Sequence, residues 1–180
     1  APEPRRFAYL PGQFMTFTLT IGGEEIHRCY TLSSSPTRPD RVSITVKRIG
    51  EGPVSSWLHA HLTPGTAIKA LGPMGDFFCQ ARAGGKYLFL SAGSGITPLM
   101  SMTRSHHDLA GGGDIAFVHS ARSPADLIFR NELALMVSAG SGLAVTAICE
   151  ADSDGEVWTG HRGRIDLAML EAIVPDFRER

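Results

Sequence analysis

Residues 87–93, YLFLSAG, form an unbroken apolar run, and no other stretch limits the fold of this chain as strongly. A strand with one wet face alternates. A strand apolar on consecutive positions is buried on both faces, which is the situation of a parallel sheet covered by helices. The downstream sequence supplies those helices. ITPLMSMTRSHHDLA reads as a helix, DIAFVHSA as a second strand, PADLIFRNELALMVSA as a second helix and LAVTAIC as a third strand. RIDLAMLEAIV adds a third helix. The order β-α-β-α-β predicts a doubly wound α/β parallel sheet over residues 82–180, with ligands at the carboxyl ends of its strands.

Residues 1–81 follow a different rhythm. FMTFTLTI, RCYTLSS, RVSITVKRI and TAIKALGPMGDFF are short runs rich in Val, Ile, Thr and Phe, separated by PG, GG, RPD and PG. That spacing predicts a small antiparallel β-barrel of Greek-key type, interrupted by a helix at VSSWLHAHL, residues 54–62. The punctuation ARAGGK, residues 81–86, places the junction between the two domains near residue 82.

Charge narrows the function classes. With 17 basic and 18 acidic residues the net charge is −1, so nothing electrostatic favours a nucleic acid or an anionic membrane as partner. No run of about 18 apolar residues is present, and the start, APEPRRFAYLPG, lacks the apolar core of a signal peptide. Cys29, Cys79 and Cys149 are scattered without a CxxC spacing, which points to a reducing, cytoplasmic setting and away from an internal iron–sulfur or zinc site. The absence of an initial Met and the end at IVPDFRER suggest an excised or incomplete polypeptide.

SAGSGITPL, residues 91–99, joins the apolar strand to the helix that follows. Gly93 and Gly95 let a chain approach a pyrophosphate, the amides near Thr97 lie at a helix N-terminus that favours anions, and Pro98 fits the first helical turn. The spacing is GxGxxP rather than GxGxxG, and a plain strand-to-helix turn is the alternative. Ser120 and Arg122 fall at the end of the second strand, where the adenosine of a dinucleotide lies in such sheets. Arg122 either pairs with a 2′-phosphate or with Asp126, and Asp126 alternatively reaches the ribose, so NADH and NADPH both remain open.

Three features of the first domain carry phosphate or ring chemistry. RCYT, residues 28–31, sets a cation, an aromatic ring and a hydroxyl on one strand; GEGPVSSWL, residues 50–58, is a Gly-rich turn entering a helix; GPMGDFF, residues 72–78, is a turn before the junction. In this order with GSGITP, they resemble the ferredoxin–NADP reductase superfamily of flavoproteins, particularly the reductase components that feed Rieske-type oxygenases and related iron–sulfur proteins. The resemblance runs from PGQF, residues 11–14, to GHRGRID, residues 160–166.

The resemblance implies an enzyme passing hydride from NADH or NADPH to FAD, then single electrons to an iron–sulfur protein or domain. Some relatives use FMN; the second phosphate-type turn favours FAD. By the same likeness Arg28 neutralises flavin phosphate, while Tyr30 packs on the isoalloxazine and Thr31 hydrogen-bonds near its N5, the two residues nearest the chemistry. Val46 and Lys47 line the ribityl and phosphate region, and Gly52, Val54, Ser55 and Ser56 hold the pyrophosphate. Gly93, Gly95, Thr97 and Pro98 hold the nicotinamide dinucleotide, with Ser120 and Arg122 at its adenosine end.

Taken alone, Arg28 reads equally as a surface residue and Tyr30 as a core aromatic. Trp57 and Phe129 read as core. His59 with His61 and His106 with His107 lack the neighbours of a metal set and read as surface residues. The family's Cys-Gly-Pro strand is absent from this sequence, as is a four-cysteine ferredoxin domain, so the parallel sheet is expected to lack its last strand. A non-catalytic flavin- or nucleotide-binding relay module is the competing function.

Overall fold

A computed structural model describes residues 6–50, 52–79, 84–109, 113–140 and 142–180. The predicted junction at residues 81 and 82 lies outside them. In the first lobe, β1 (Phe14–Ile21) pairs antiparallel with β2 (Glu24–Thr31), from Phe14 opposite Thr31 to Ile21 opposite Glu24. Gly22 and Gly23 close this hairpin at φ of 62° and 87°, the left-handed angles that a two-residue turn of matching twist demands. β3 (Lys69–Met74) pairs with the other edge of β1, giving a barrel-like antiparallel sheet of order β2-β1-β3. Helix α1 (Pro53–His61) packs Val54 and Leu58 on Leu19 of β1.

The segment RVSITVKRI has the predicted strand pattern, yet its pairing is limited to a bridge between Leu32 and Ile44 and the bond from Ser33 N to Ser43 O. Contacts from its flanks secure it instead. The His59 ring meets Val46 O at 2.8 Å, and Ser55 Oγ accepts from Ile49 N at 3.1 Å.

The second lobe is the parallel sheet, with β4 (Lys86–Ala92), β5 (Asp114–Ala121), β6 (Leu143–Cys149) and a short β7 (His161–Arg162) in the order β4-β5-β6-β7. Alternate residues of β5 enter two cores. Ile115 and Phe117 meet α2 (Ile96–Asp108) and α3 (Arg130–Ser138), whereas Ala116 and Val118 meet α4 (Leu167–Ile173). Burial on both faces explains why β5 is so apolar from Ile115 to Ala121, whereas β4, at the sheet edge, leaves Leu90 43% exposed, against the two-sided burial its apolar run predicts. Among the described residues, no helix is long and apolar enough to cross a membrane.

Two expectations need correction. The helix predicted over 124–139 spans Arg130–Ser138; residues 124–126 form a 3-10 turn and Phe129 sits at φ 61°. Leu127 is drawn into a cluster with Ala121 and Cys149, which breaks the helical path. His106 is buried, 5% exposed, with its ring edge-on to Tyr87 at 4.7 Å, while His107 beside it is exposed as predicted.

The run Ser33–Ser35 fastens the two lobes together. Arg104 Nη1 donates to Ser33 O while its other nitrogens grip Glu132 at 2.7 and 2.6 Å, and Ser101 Oγ donates to Ser34 O at 2.6 Å. Thr37 Oγ1, itself bonded to Ser35 Oγ at 2.6 Å, donates to Asp108 Oδ2. Arg38 holds the same carboxylate with two nitrogens.

Candidate functional site

Between the lobes lies a cleft of about 410 Å³. Cys29, Tyr30 and Thr31 enter it from the end of β2, Lys47 and Val46 from the extended segment, Ser55 from α1, and Gly95, Thr97 and Pro98 from α2. Eight of the residues named from the sequence therefore converge: Tyr30, Thr31, Val46, Lys47, Ser55, Gly95, Thr97 and Pro98. Cys29, Thr45, Ile49 and Ser94 also line it and were not anticipated, although all but Ile49 are sequence neighbours of a residue that was.

The other expected residues stand apart. Arg28 is exposed and folds back on its own strand, Nη1 donating to His27 O at 2.8 Å. The Val54 side chain is 4% exposed and belongs to the core under α1. Ser56 Oγ donates to Ile49 O at 3.4 Å, an internal contact of the turn. Ser120 is buried at the end of β5, and Arg122 beyond it is exposed.

The glycines answer to different causes. Gly52 leaves room for its own turn, since a Cβ there would stand 2.9 Å from Ser55 Oγ and 3.2 Å from Ile49 Cβ. Gly93 has φ of 53°, which disfavours a side chain. Gly95 has neither reason. Its φ of −63° and ψ of −6° suit any residue, and a Cβ would meet nothing within 4 Å. It nevertheless carries no side chain, at the N-cap of α2 and on the wall of the cleft.

Both helices that reach the cleft present bare N-termini. Neither α1, which has Pro53 at its start, nor α2 has an acidic residue in its first turn, and the N-cap residues Gly52 and Gly95 have no side chain to cap the N–H groups. Ser55 Oγ donates to the Gly52 carbonyl, and the Ile96 N–H is taken up by Gly93 O and Ser94 O. Backbone N–H groups at such ends attract phosphate oxygens, and the dipole adds to that. The single charged side chain among the described cleft residues is Lys47. Its Nζ meets Asp126 Oδ1 at 2.5 Å across the lobes, and that contact, ahead of the opposing effect of burial, holds the Asp126 carboxyl below the usual carboxylate range. Ser123 Oγ also donates to Asp126. The Arg122 partner weighed for Asp126 from the sequence acts on it only through space, and Lys47, which was not expected there, forms the bond.

Tyr30 sits 6.0 Å from the Phe17 ring, and burial raises its phenol pKa against the nearby Arg28. It therefore stays a neutral, flat surface at the mouth of the cleft. A planar ring beside Tyr30 and Thr31, with anionic groups toward two bare helix ends, matches this donor set; the unfilled space over Gly95 is the cradle a side chain would block.

Residues 2–79 match the oxidoreductase FAD-binding domain family, and residues 89–179 match the oxidoreductase NAD-binding domain family. Over 180 residues the chain is 48% identical to the glycine betaine monooxygenase reductase subunit of Pseudomonas aeruginosa, covering 100% of this chain and 49% of that protein. It is 30% identical to ferredoxin–NADP reductase B of Sorangium cellulosum, covering 94% of this chain and 68% of that one. Among solved structures, the flavohem-like FAD/NAD binding domain of nitric oxide dioxygenase from Vibrio cholerae superimposes with a TM-score of 0.79 at 26% identity, over 93% of this chain and 71% of that one. The chain spans about half the length of the Pseudomonas subunit. With an FAD-binding and an NAD-binding half in this order and this fold, the chain belongs to the ferredoxin–NADP reductase family of FAD- and NAD-binding oxidoreductases.

Proposed function

We propose that this chain is the FAD- and nicotinamide-binding part of a cytoplasmic reductase that takes hydride from NADH or NADPH and delivers single electrons to an iron–sulfur acceptor serving an oxygenase. The observation that carries this reading is Gly95: backbone and packing both allow a side chain there, and the approach of a coenzyme does not. Bound FAD supplies the redox chemistry, accepting hydride and releasing electrons one at a time.

The protein's share is to bind, orient and exclude. Tyr30 and Thr31 offer a flat face and a hydroxyl for the flavin, and the first turn of α1 offers N–H groups for its pyrophosphate. The first turn of α2, from Gly95 to Pro98, serves the nicotinamide coenzyme, and Ser120 and Arg122 serve its adenosine end. Lys47 balances phosphate charge once the coenzyme competes with Asp126 for it. The oxygenase partner is supported by the kinship with a monooxygenase reductase subunit.

The test is the visible spectrum of the purified protein supplied with FAD, followed by anaerobic addition of NADH or NADPH in separate cuvettes. A flavin spectrum bleached by either coenzyme is expected. Failure to take up FAD sinks the flavin assignment, and a bound flavin bleached by neither coenzyme leaves a relay module in its place.

A further inference from the structure

A second cavity, of about 330 Å³, lies beneath α3 on the sheet face that α2 and α3 cover. Its walls are aliphatic, with Leu127, Leu133, Val137, Val145 and Ala147 among them. One buried polar side chain looks into it. His119 of β5 is 2% exposed, and among the described residues its Nε2 has no hydrogen-bond partner. Buried polar atoms are otherwise paired in folded proteins, so an orphan aimed into a cavity calls for an explanation.

The other ring nitrogen is already occupied. Nδ1 lies 2.8 Å from Ser91 Oγ on the neighbouring strand, a hydroxyl that can accept from it or donate to it. Nε2 is left as the open position of the ring, and in the tautomer protonated at Nδ1 it presents a lone pair to the cavity. Burial, reinforced by the positive charge of Lys47 and opposed by the Ser91 bond, pushes the imidazole pKa down to about 4, so the ring is neutral near pH 7. Arg130 at the rim is engaged by Glu156 at 2.8 and 2.7 Å, which removes the remaining charge from play.

We infer that this cavity is a binding site, separate from the cleft between the lobes, for an uncharged, flat, mostly apolar small molecule that donates one hydrogen bond to His119 Nε2. Aliphatic walls select against charge, because no buried counterion awaits it. A cavity of about 150 Å³ already holds benzene, so this one has room for a fused two-ring molecule with one N–H or O–H. A few placed polar groups in an otherwise apolar pocket is the usual make-up of a small-molecule site. The site does not depend on the flavin reading, since neither His119 nor Ala147 lines the cleft.

The test uses indole as probe, against 1-methylindole, which has the rings without the donor. Binding is followed by the ¹⁵N resonances of the His119 imidazole and by calorimetry, with and without saturating NADH. Indole is expected to move the Nε2 resonance and to bind about tenfold more tightly than 1-methylindole, the worth of one hydrogen bond. Ala147→Leu, which fills the cavity from a strand position, should abolish binding while leaving NADH affinity unchanged. His119→Phe is the second variant and should remove the preference for indole over its methylated form. An unmoved Nε2 resonance at the solubility limit of indole overturns the proposal. So does competition by NADH, which would make the cavity part of the coenzyme site, or unaltered binding in a folded Ala147→Leu protein.

Discussion

Replacing Arg104 with methionine tests whether the two lobes are held by the hydroxyl run and its partners. Methionine keeps much of the apolar stem and removes three interactions. The first is the charge-assisted bond to Ser33 O. Ser33 is 1% exposed, so its abandoned carbonyl has little access to water, a loss of about 1.5–3 kcal/mol. The second is the guanidinium lying 4.8 Å from the centre of the Phe129 ring, worth about 0.5–1 kcal/mol at a partly exposed site. The third, the pair with Glu132, adds little, because that carboxylate is 39% exposed and recovers its water. Together these predict a loss of about 2–4 kcal/mol, read in urea as a lower midpoint at unchanged slope. In a chain of this size that is a fall of roughly 5–15 °C in Tm. Glu132→Gln should cost less than about 1 kcal/mol. Arg104→Lys should fall between the two, since an ammonium reaches Ser33 O or Glu132 without the fork that joins both. A loss for Arg104→Met below about 1 kcal/mol, or no larger than for Glu132→Gln, would refute the view that this clasp holds the lobes.

Three further outcomes are expected. Gly95→Ala should fold with stability within about 0.5 kcal/mol of the parent, yet lose at least tenfold in NADH or NADPH affinity by fluorescence titration; an unchanged affinity places the coenzyme elsewhere. Gly12→Ala should lose more than about 2 kcal/mol by urea denaturation, because Gly12 has φ of 105° and a Cβ would stand 2.2 Å from Phe77 O and 2.7 Å from Met102 Cε. His119 is neutral in the folded protein down to a pKa of about 4, against 6.5 when unfolded. Between those values the unfolded chain binds the extra proton, so stability is whole above pH 6.5 and falls as pH drops toward 4, by about 3 kcal/mol in all. His119→Phe should flatten this part of the urea-midpoint profile, and a profile identical to the parent would show that the ring is not held neutral.

The parallel sheet was legible because YLFLSAG, DIAFVHSA and LAVTAIC lack polar alternation; burial on both faces accounts for this in β5, while Leu90 of the edge strand β4 is 43% exposed. The start of α3 was not legible: helical periodicity runs unbroken through Leu127 and Phe129, and their departure from it comes from Leu127 packing on Ala121 and Cys149. Eight cleft residues were readable from motif and order. Arg28 was readable as a strand residue, and its turning back on His27 O was not. The serine run was the most opaque stretch, for a definite reason. Its partners Ser101 and Arg104 lie 67 and 71 residues further along the chain, and Arg38 just beyond it reaches Asp108 across 70. No local pattern announces contacts at that separation.

That clasp bears on the cleft through chain continuity. Tyr30 and Thr31, which line the cleft, are followed at once by Leu32, fully buried, and then by Ser33 and Ser34, whose carbonyls hold α2. The same α2 begins at Gly95–Pro98 on the opposite wall. Both walls are thus tied at one joint within a few residues of the cleft, and Lys47 with Asp126 adds a second tie. A reaction between two bound rings depends steeply on their separation, and an error of about 1 Å can cost a hundredfold in rate. A joint of directional hydrogen bonds to carbonyls fixes separation in a way that sliding apolar surfaces do not. On this reasoning RCYTLSSSP divides its work: Thr31 faces the cleft, while the carbonyls of Ser33 and Ser34, and Ser35 through Thr37, hold the opposite wall at its distance.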